Sequence, residues 1–369
     1  SNTTGGYSVA IGNRALQAVT TQGGNVAIGA DSMFSNTSGA SNVAVGSDSL
    51  KLNTSGTRGV AIGSLALSAN TTGNDNVAVG SGTSGVSFAA LASNTTGQYN
   101  TAIGNSALGA NTTADYNSAV GYAALLDNTT GARNTAMGSF SLDANTTGDF
   151  NTAYGYATLT AATTADNNTA IGYEALLANT TGTSNTAVGY RAADACTTGS
   201  NNTAVGTGSL TAITTGGSST AIGAGALQSA TTNDNNTAVG VDAGVSIVGA
   251  GNNTLVGVNA GNNIGAGNNN TFIGLGAGTD VTTGGQNVVV SSGRTANAGH
   301  SGASNRIVIG DLIGGTADFQ FTFGASSNIV QNEFNTDAAW TRTSDIRKKR
   351  NINDDTLGLS FINNLKPVT

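Results

Sequence analysis

The chain has 369 residues, of which only 9% are charged, with 54 glycines and one each of cysteine, histidine, tryptophan and proline. A single cysteine excludes an intrachain disulfide and a cysteine-based metal site, and the net charge of −7 argues against nucleic acid as a partner. No run of 18 apolar residues and no leader-like segment is present, so no membrane insertion is expected.

From the N-terminus onwards the motif Asn/Ser-Thr/Val-Ala-Val/Ile-Gly recurs. Its glycines are Gly12, Gly29, Gly46, Gly63, Gly80, Gly104, Gly121, Gly138, Gly155, Gly172, Gly189, Gly206, Gly223, Gly240, Gly257 and Gly274. Every step is 17 residues except that from Gly80 to Gly104, which is 24 and carries seven extra residues near "SGTSGVS" (81–87). Two consecutive copies, "NTAIGYEALLANTTGTS" (168–184) and "NTAVGYRAADACTTGSN" (185–201), display the unit. Small residues placed at a fixed period indicate stacked units and not a disordered low-complexity chain.

Within the unit, Thr-Ala-Val/Ile-Gly is short, partly β-branched and alternating, which predicts a strand. Asn-Thr-Thr-Gly predicts a turn. The middle piece, Tyr-x-Ala-Leu-x-Ala, is ambiguous. Ile171, Ala175 and Leu176 are spaced to suit one helical turn, whereas Gly208 and Gly225 at the matching place of other copies are not, and a second short strand fits equally. The expected fold is all-β, a parallel β-solenoid or β-roll of about sixteen 17-residue coils, roughly 80 Å long at ~4.8 Å per strand. Side chains stacked in such ladders explain the scarcity of charge, the use of Asn and Thr, and the confinement of proline to Pro367.

A coil with four or five small apolar residues buries little area, so association of copies is expected, and three chains around one axis suit a fibre. The core Asn-x-Ala-(Val/Ile)-Gly-x-x-(Ala/Ser) resembles the YadA-like head repeat of trimeric autotransporter adhesins over about residues 7–290. Long repeats of this kind also resemble phage tail-fibre proteins. The resemblance implies a homotrimeric, left-handed parallel β-roll.

Over residues 241–280 glycine replaces the repeat's leucine, in "VDAGVS", "VNAGNN" and "LGAGTD", which predicts thinner coils. "NVVVSS" (287–292), "NRIVIGD" (305–311) and "DFQFTFG" (318–324) read as ordinary strands, with Trp340 in a connector. The chain thus divides into a repeat solenoid (1–290), a β-rich connector (291–342) and a basic, then helix-like segment (343–369). Residues 1–341 hold 7 basic and 17 acidic side chains, whereas residues 342–369 hold 6 basic and 3 acidic ones.

In "TSDIRKKRNINDDTLGLSFINNLKPVT" (343–369), Leu357, Leu359, Ile362 and Leu365 offer an apolar helical face. Its Ser-Asp-x-Arg-x-Lys-x-x-Ile and Gly-Leu-x-x-Ile-x-x-Leu-x-Pro-Val patterns resemble the start of the endosialidase-type intramolecular chaperone domain of phage fibres and spikes, whose remainder is expected beyond Thr369. That resemblance implies trimerisation followed by self-cleavage between Ser344 and Asp345, with Ser344 as nucleophile and Lys349 as its proton acceptor.

Other chemistry-bearing residues read as structural. Cys196 takes the turn place of Asn179, His300 lies in a Gly/Ser loop without metal-ligand spacing, and Asp127, Asp143, Asp149 and Glu174 fall at different consensus positions. The basic run Arg347–Arg350 is read with Ser344 and Asp345, not as a nucleic-acid patch. No cofactor, metal or substrate-turnover activity is expected, beyond self-cleavage at most. The expected function is a structural fibre, a virion tail fibre or spike at the virion surface or otherwise extracellular, spacing or presenting a surface for a host receptor or glycan. The alternative is a bacterial surface adhesin or extracellular filament. An ice-binding threonine face is disfavoured, because Val26, Val43, Val60 and Val77 interrupt it.

Overall fold

Three-residue strands carry the repeat. The computed structural model describes residues 6–343, apart from 21–22, 84–86, 233–234, 294–300, 315–316, 327 and 335–340. Strands β1 (Val9–Ile11) to β5 (Val77–Val79) precede the irregular step, and β6 (Thr101–Ile103) to β17 (Val288–Val290) follow it. Each pairs in parallel with the next at an offset of one repeat, as in Thr169↔Thr186, Ala170↔Ala187 and Ile171↔Val188. The result is the parallel β-solenoid that the period implies.

Parallel pairing also runs past residue 290. It continues through β18 (Ile307–Asp311) and β19 (Gln320–Ala325), so nineteen parallel strands make about eighteen coils, three strands beyond the last repeat glycine, Gly274. The glycine count misses them because Ser291 takes the glycine's place at the regular step, and Gly310 and Gly324 then follow at steps of 19 and 14. Strands β20 (Asn328–Glu333) and β21 (Thr341–Thr343) then turn antiparallel against the end of the stack. The helix-like segment, with Ser344, Asp345 and Lys349, lies outside the described residues, as do His300 and Trp340.

Why glycine closes each strand is a matter of space. Gly189 has φ +142°, and a Cβ there would come within 2.6 Å of the Gly206 carbonyl oxygen one coil on. Any side chain would push the coils apart at a spacing the strand ladder fixes.

The middle piece is neither helix nor strand. Glu174 and Leu176 have φ of 54° and 51°, so left-handed residues alternate with right-handed-side neighbours. Amides then point both ways along the rod: Glu174 N–H donates to the Tyr156 carbonyl below at 3.0 Å and Leu176 N–H to the Ala192 carbonyl above at 3.0 Å. Gly208 and Gly225 have φ of 64° and 67° at the position of Glu174, so glycine suits this corner better than it would a helix. A left-handed leucine costs about 1–2 kcal/mol. Leu176 is fully buried, which contributes ~1.5–3 kcal/mol and offsets that strain.

Counting from the asparagine that opens each unit, the interior holds the third, eighth and ninth residues, such as Ala170, Ala175 and Leu176, all at 0% exposure. Ile171 instead points outward, so it does not share a face with Ala175 and Leu176 as a helical turn would require. Two asparagine columns complete the interior. At the first position, Asn168 Oδ1 accepts the Asn185 amide at 2.9 Å while its Nδ2 donates to the Gly182 carbonyl at 2.9 Å. At the twelfth, Asn53 Nδ2 donates to Asn36 Oδ1 and to the Gly56 carbonyl, and Asn70 repeats this upon Asn53.

The glycine-substituted coils are not thinner. Where Gly244, Gly261 and Gly278 replace the buried leucine, Leu255 and Phe272 replace the strand alanine, and Ile247, Ile264 and Val281 replace the second asparagine; all five are 0–1% exposed. A Cβ on Gly244 would sit 2.7 Å from Leu255 Cδ1, so the volume has moved from one position to another.

Candidate functional site: the outward strand face

Alternation along the strand sends the third residue inward and the second and fourth outward. The fourth position forms one apolar column from Ile11 to Ile309. Ile28, Ile62, Ile103, Ile171, Ile222 and Ile273 in it are 36–42% exposed, with half-buried valines in most of the coils between. Beside it the second position is valine through β5 and then almost entirely threonine from Thr101 to Thr271.

Aromatic side chains border this face most densely over the central coils. At the sixth position Tyr122, Tyr156, Tyr173 and Tyr190 form a column into which Phe140 is inserted from the neighbouring position. Successive ring centroids lie 5.3, 6.1, 5.5 and 5.4 Å apart. At the seventeenth position Tyr99 and Tyr116 stack at 4.9 Å, and the Arg133 guanidinium lies over both Tyr116 and Phe150. Glu174 hydrogen-bonds the Tyr173 hydroxyl, which holds that phenol above its ordinary range, and Arg191 pairs with Glu174 and Asp194.

Elsewhere Arg58 pairs with Asp75. Arg14, Asp31, Lys51 and Asp48 form a chain of ion pairs across three coils. Beside it Asp48, Lys51, Leu52, Ser64, Leu65, Ser68, Ala69, Gly82 and Thr83 line an open cleft of about 590 Å³. Burial, seconded by the nearby Asp127 carboxylate, raises Asp143 to about 6. Among the described residues no three His, Cys, Asp or Glu side chains are placed to hold a metal ion.

Cys196 does replace an asparagine: it is buried, its Sγ lies 3.5 Å from the Gly199 carbonyl, and burial raises its thiol to about 11. Such a thiol stays protonated and inert at neutral pH. Asp127, Asp143, Asp149 and Glu174 are not brought together as one site. Ser344, Asp345 and Lys349 lie outside the described residues, so their mutual geometry has no description here. Among the described residues, asparagines of the Asn-Thr-Thr and Asn-Thr-Ser triplets, such as Asn70 and Asn128, are 0–1% exposed with their amides bonded, so no glycan fits on them in the folded rod.

Sequence reasoning missed both aromatic columns as surfaces. The recurrence of tyrosine at one position was visible, but its direction depended on the left-handed backbone that follows. No protein-family model, curated protein or solved structure matches the chain.

Proposed function

We propose that the chain is the shaft of a structural fibre, a virion tail fibre or spike, built from three parallel copies in register and spacing or presenting a host-binding surface outside the cell. The observation that carries this reading is the apolar column at the fourth position, which follows the coil period from Ile11 to Ile309. A partner that covers it must match that period over the whole length, and a second copy of the same rod does so. Covering the exposed part of each Ile or Val contributes on the order of 1 kcal/mol per coil, repeated along the stack. Closed threefold association lets each copy cover the column of its neighbours without leaving an edge.

Sedimentation equilibrium is expected to return three times the chain mass of 36.0 kDa. Val188→Asp, which places a charge in the column, is expected to dissociate the assembly while circular dichroism stays close to wild type. A wild-type rod that sediments as a folded monomer overturns the proposal. For the C-terminal segment the same reading expects one cut between Ser344 and Asp345 in a chain carrying the rest of the chaperone domain, abolished in Ser344→Ala and Lys349→Ala. Full-length wild-type chains on denaturing gels, or continued cutting in both variants, would refute that part.

A further inference from the structure

Seven of the chain's eight tyrosines lie between residues 99 and 190, and all seven point outward along the strand face or its two margins. The apolar column beneath them belongs to every coil, whereas the aromatic column at the sixth position begins at Tyr122 and ends at Tyr190. Asn105 and Thr207 hold that position in the coils on either side. Coils without aromatics, such as those of β3 and β4 or of β12 and β13, stack in the same register, so stacking does not require them. A contact between copies that runs the whole rod does not require them either.

We infer that Tyr122, Phe140, Tyr156, Tyr173 and Tyr190 form a binding track for a neutral, extended chain of pyranose sugars lying along the rod axis. This deepens the fibre reading by naming the class of ligand such a rod would meet.

Three observations select that ligand. First, Tyr122, Tyr156, Tyr173 and Tyr190 are 44–53% exposed. Tyr156, Tyr173 and Tyr190 lie nearly parallel, at 13° and 10°, with centroids 5.5 and 5.4 Å apart. Rings in contact are about 3.5–4.0 Å apart, so these are slid past one another like shingles, each leaving part of a face open. The apolar C–H face of a pyranose ring stacks on such a face, and its rim of hydroxyls meets polar partners.

Second, those partners are present. The Tyr hydroxyls, the Glu174 carboxylate and the Arg191 guanidinium lie along the same margin, with Tyr154, 55% exposed, beside Tyr156 on its coil. Third, the track is linear, spans four coil steps of ~4.8 Å, and repeats at a spacing close to that of sugar units in an extended β-linked chain. Charge settles neutral against acidic glycans: residues 99–194 contain seven acidic side chains and two arginines, a local balance of −5.

The test is calorimetric titration of the full chain with neutral β-linked gluco-, manno- and N-acetylglucosamine oligosaccharides of two to six units, with a polyuronate as control. Saturation-transfer NMR on the sugar protons reads ring contact in wild type directly. Expected are binding that strengthens with length up to about four or five units, set by the ~4.8 Å coil step, and transfer onto sugar C–H protons. The Tyr156→Ala/Tyr173→Ala/Tyr190→Ala variant is expected to bind at least tenfold more weakly at unchanged sedimentation mass, and Tyr173→Phe, which keeps the ring, within about threefold of wild type. No binding by any neutral oligosaccharide overturns the inference, as does equal binding by the triple variant or preference for the polyuronate. A changed mass in the triple variant also overturns it, by assigning the track to the contact between copies. A monomeric wild type that still binds in the expected manner would sink the trimer and leave the track standing.

Discussion

At the scale of single residues the interior runs on amide bookkeeping. The twelfth-position column passes one hydrogen bond per coil from Asn36 to Asn145, and then meets Ala162. Asn145 Oδ1 is left buried without a partner. Ala162→Asn would give that oxygen a donor and would offer its own Oδ1 to Asn179, whose Nδ2 already reaches the Gly182 carbonyl. The Ala165 carbonyl replaces a glycine carbonyl as local acceptor, as the Ala114 carbonyl does for Asn111. A gain of roughly 1–2 kcal/mol is expected in denaturant titrations, since each net hydrogen bond is worth about 1 kcal/mol; a loss would mean the coil there is too tight. Asp143 gives the second residue-scale prediction. Its folded-state value, about 6, lies above the ordinary 3.8, so the ionised carboxylate opposes folding at neutral pH. Stability should therefore rise as pH falls from about 6 to 4, where the unfolded chain still loses a proton that the folded chain keeps. Asp143→Asn should be more stable than wild type by roughly 1–2 kcal/mol at pH 7, allowing for partial exposure, with the difference fading below pH 4. An unchanged difference at pH 3.5 would assign the gain to packing instead.

At the scale of elements the strand was legible and the corner was not. Thr-Ala-Ile alternates in a way only a half-buried strand explains, and its parallel pairing follows from the period. Tyr-Glu-Ala-Leu-Leu-Ala offered apolar spacing for a helix, yet its left-handed Glu174 and Leu176 depend on the Tyr156 and Ala192 carbonyls of the two neighbouring coils, which no local propensity encodes. The same dependence hid the exchange of volume between Gly278 and Phe272, since glycine was read without its partner across the coil. The insertion was legible because an interrupted period must leave the stack. Gly82 N–H bonds the Ser64 carbonyl, Thr83 and Ser87 pair with each other, and Ser106 N–H bonds the Phe88 carbonyl. The chain therefore exits and returns at one point while β5 and β6 stay in register. Deleting residues 81–87 restores the 17-residue step and is expected to change unfolding free energy by less than about 1 kcal/mol, because a surface loop of this size carries little closure entropy. It would also remove the Gly82 and Thr83 wall of the adjoining cleft. Global unfolding of the deletion variant would show that the loop supports the stack.

At the scale of the whole molecule, each coil touches only its two neighbours, so stability is close to a sum of coil terms and neighbour terms. Such a rod has no tertiary contact that fixes its total length. Removing residues 168–184, one complete unit, joins Asn167 to Asn185. The first-position asparagine column then continues, since Asn151 comes to lie under Asn185 as it formerly lay under Asn168. Strand pairing becomes Thr152 with Thr186, and the left-handed residue before the opening asparagine keeps its place. At the twelfth position Ala162 meets Cys196 in place of Asn179, which removes one open acceptor, Asn179 Oδ1. The shortened chain should fold with a circular dichroism spectrum per residue like that of wild type, and its rod should be one coil rise, ~4.8 Å, shorter by small-angle scattering. Removing nine residues, 168–176, is the discriminating control. A deletion that is not a whole coil shifts every later side chain out of its position, so Asn179, Asn185 and Val188 would take the interior places of Ala170, Leu176 and Asn179, and the first-position asparagine column would break at the join. That variant should lose several kcal/mol at the junction or split the rod into two independently melting halves. If the 17-residue deletion unfolds like the nine-residue one, the coils are not the independent units that their hydrogen bonds describe.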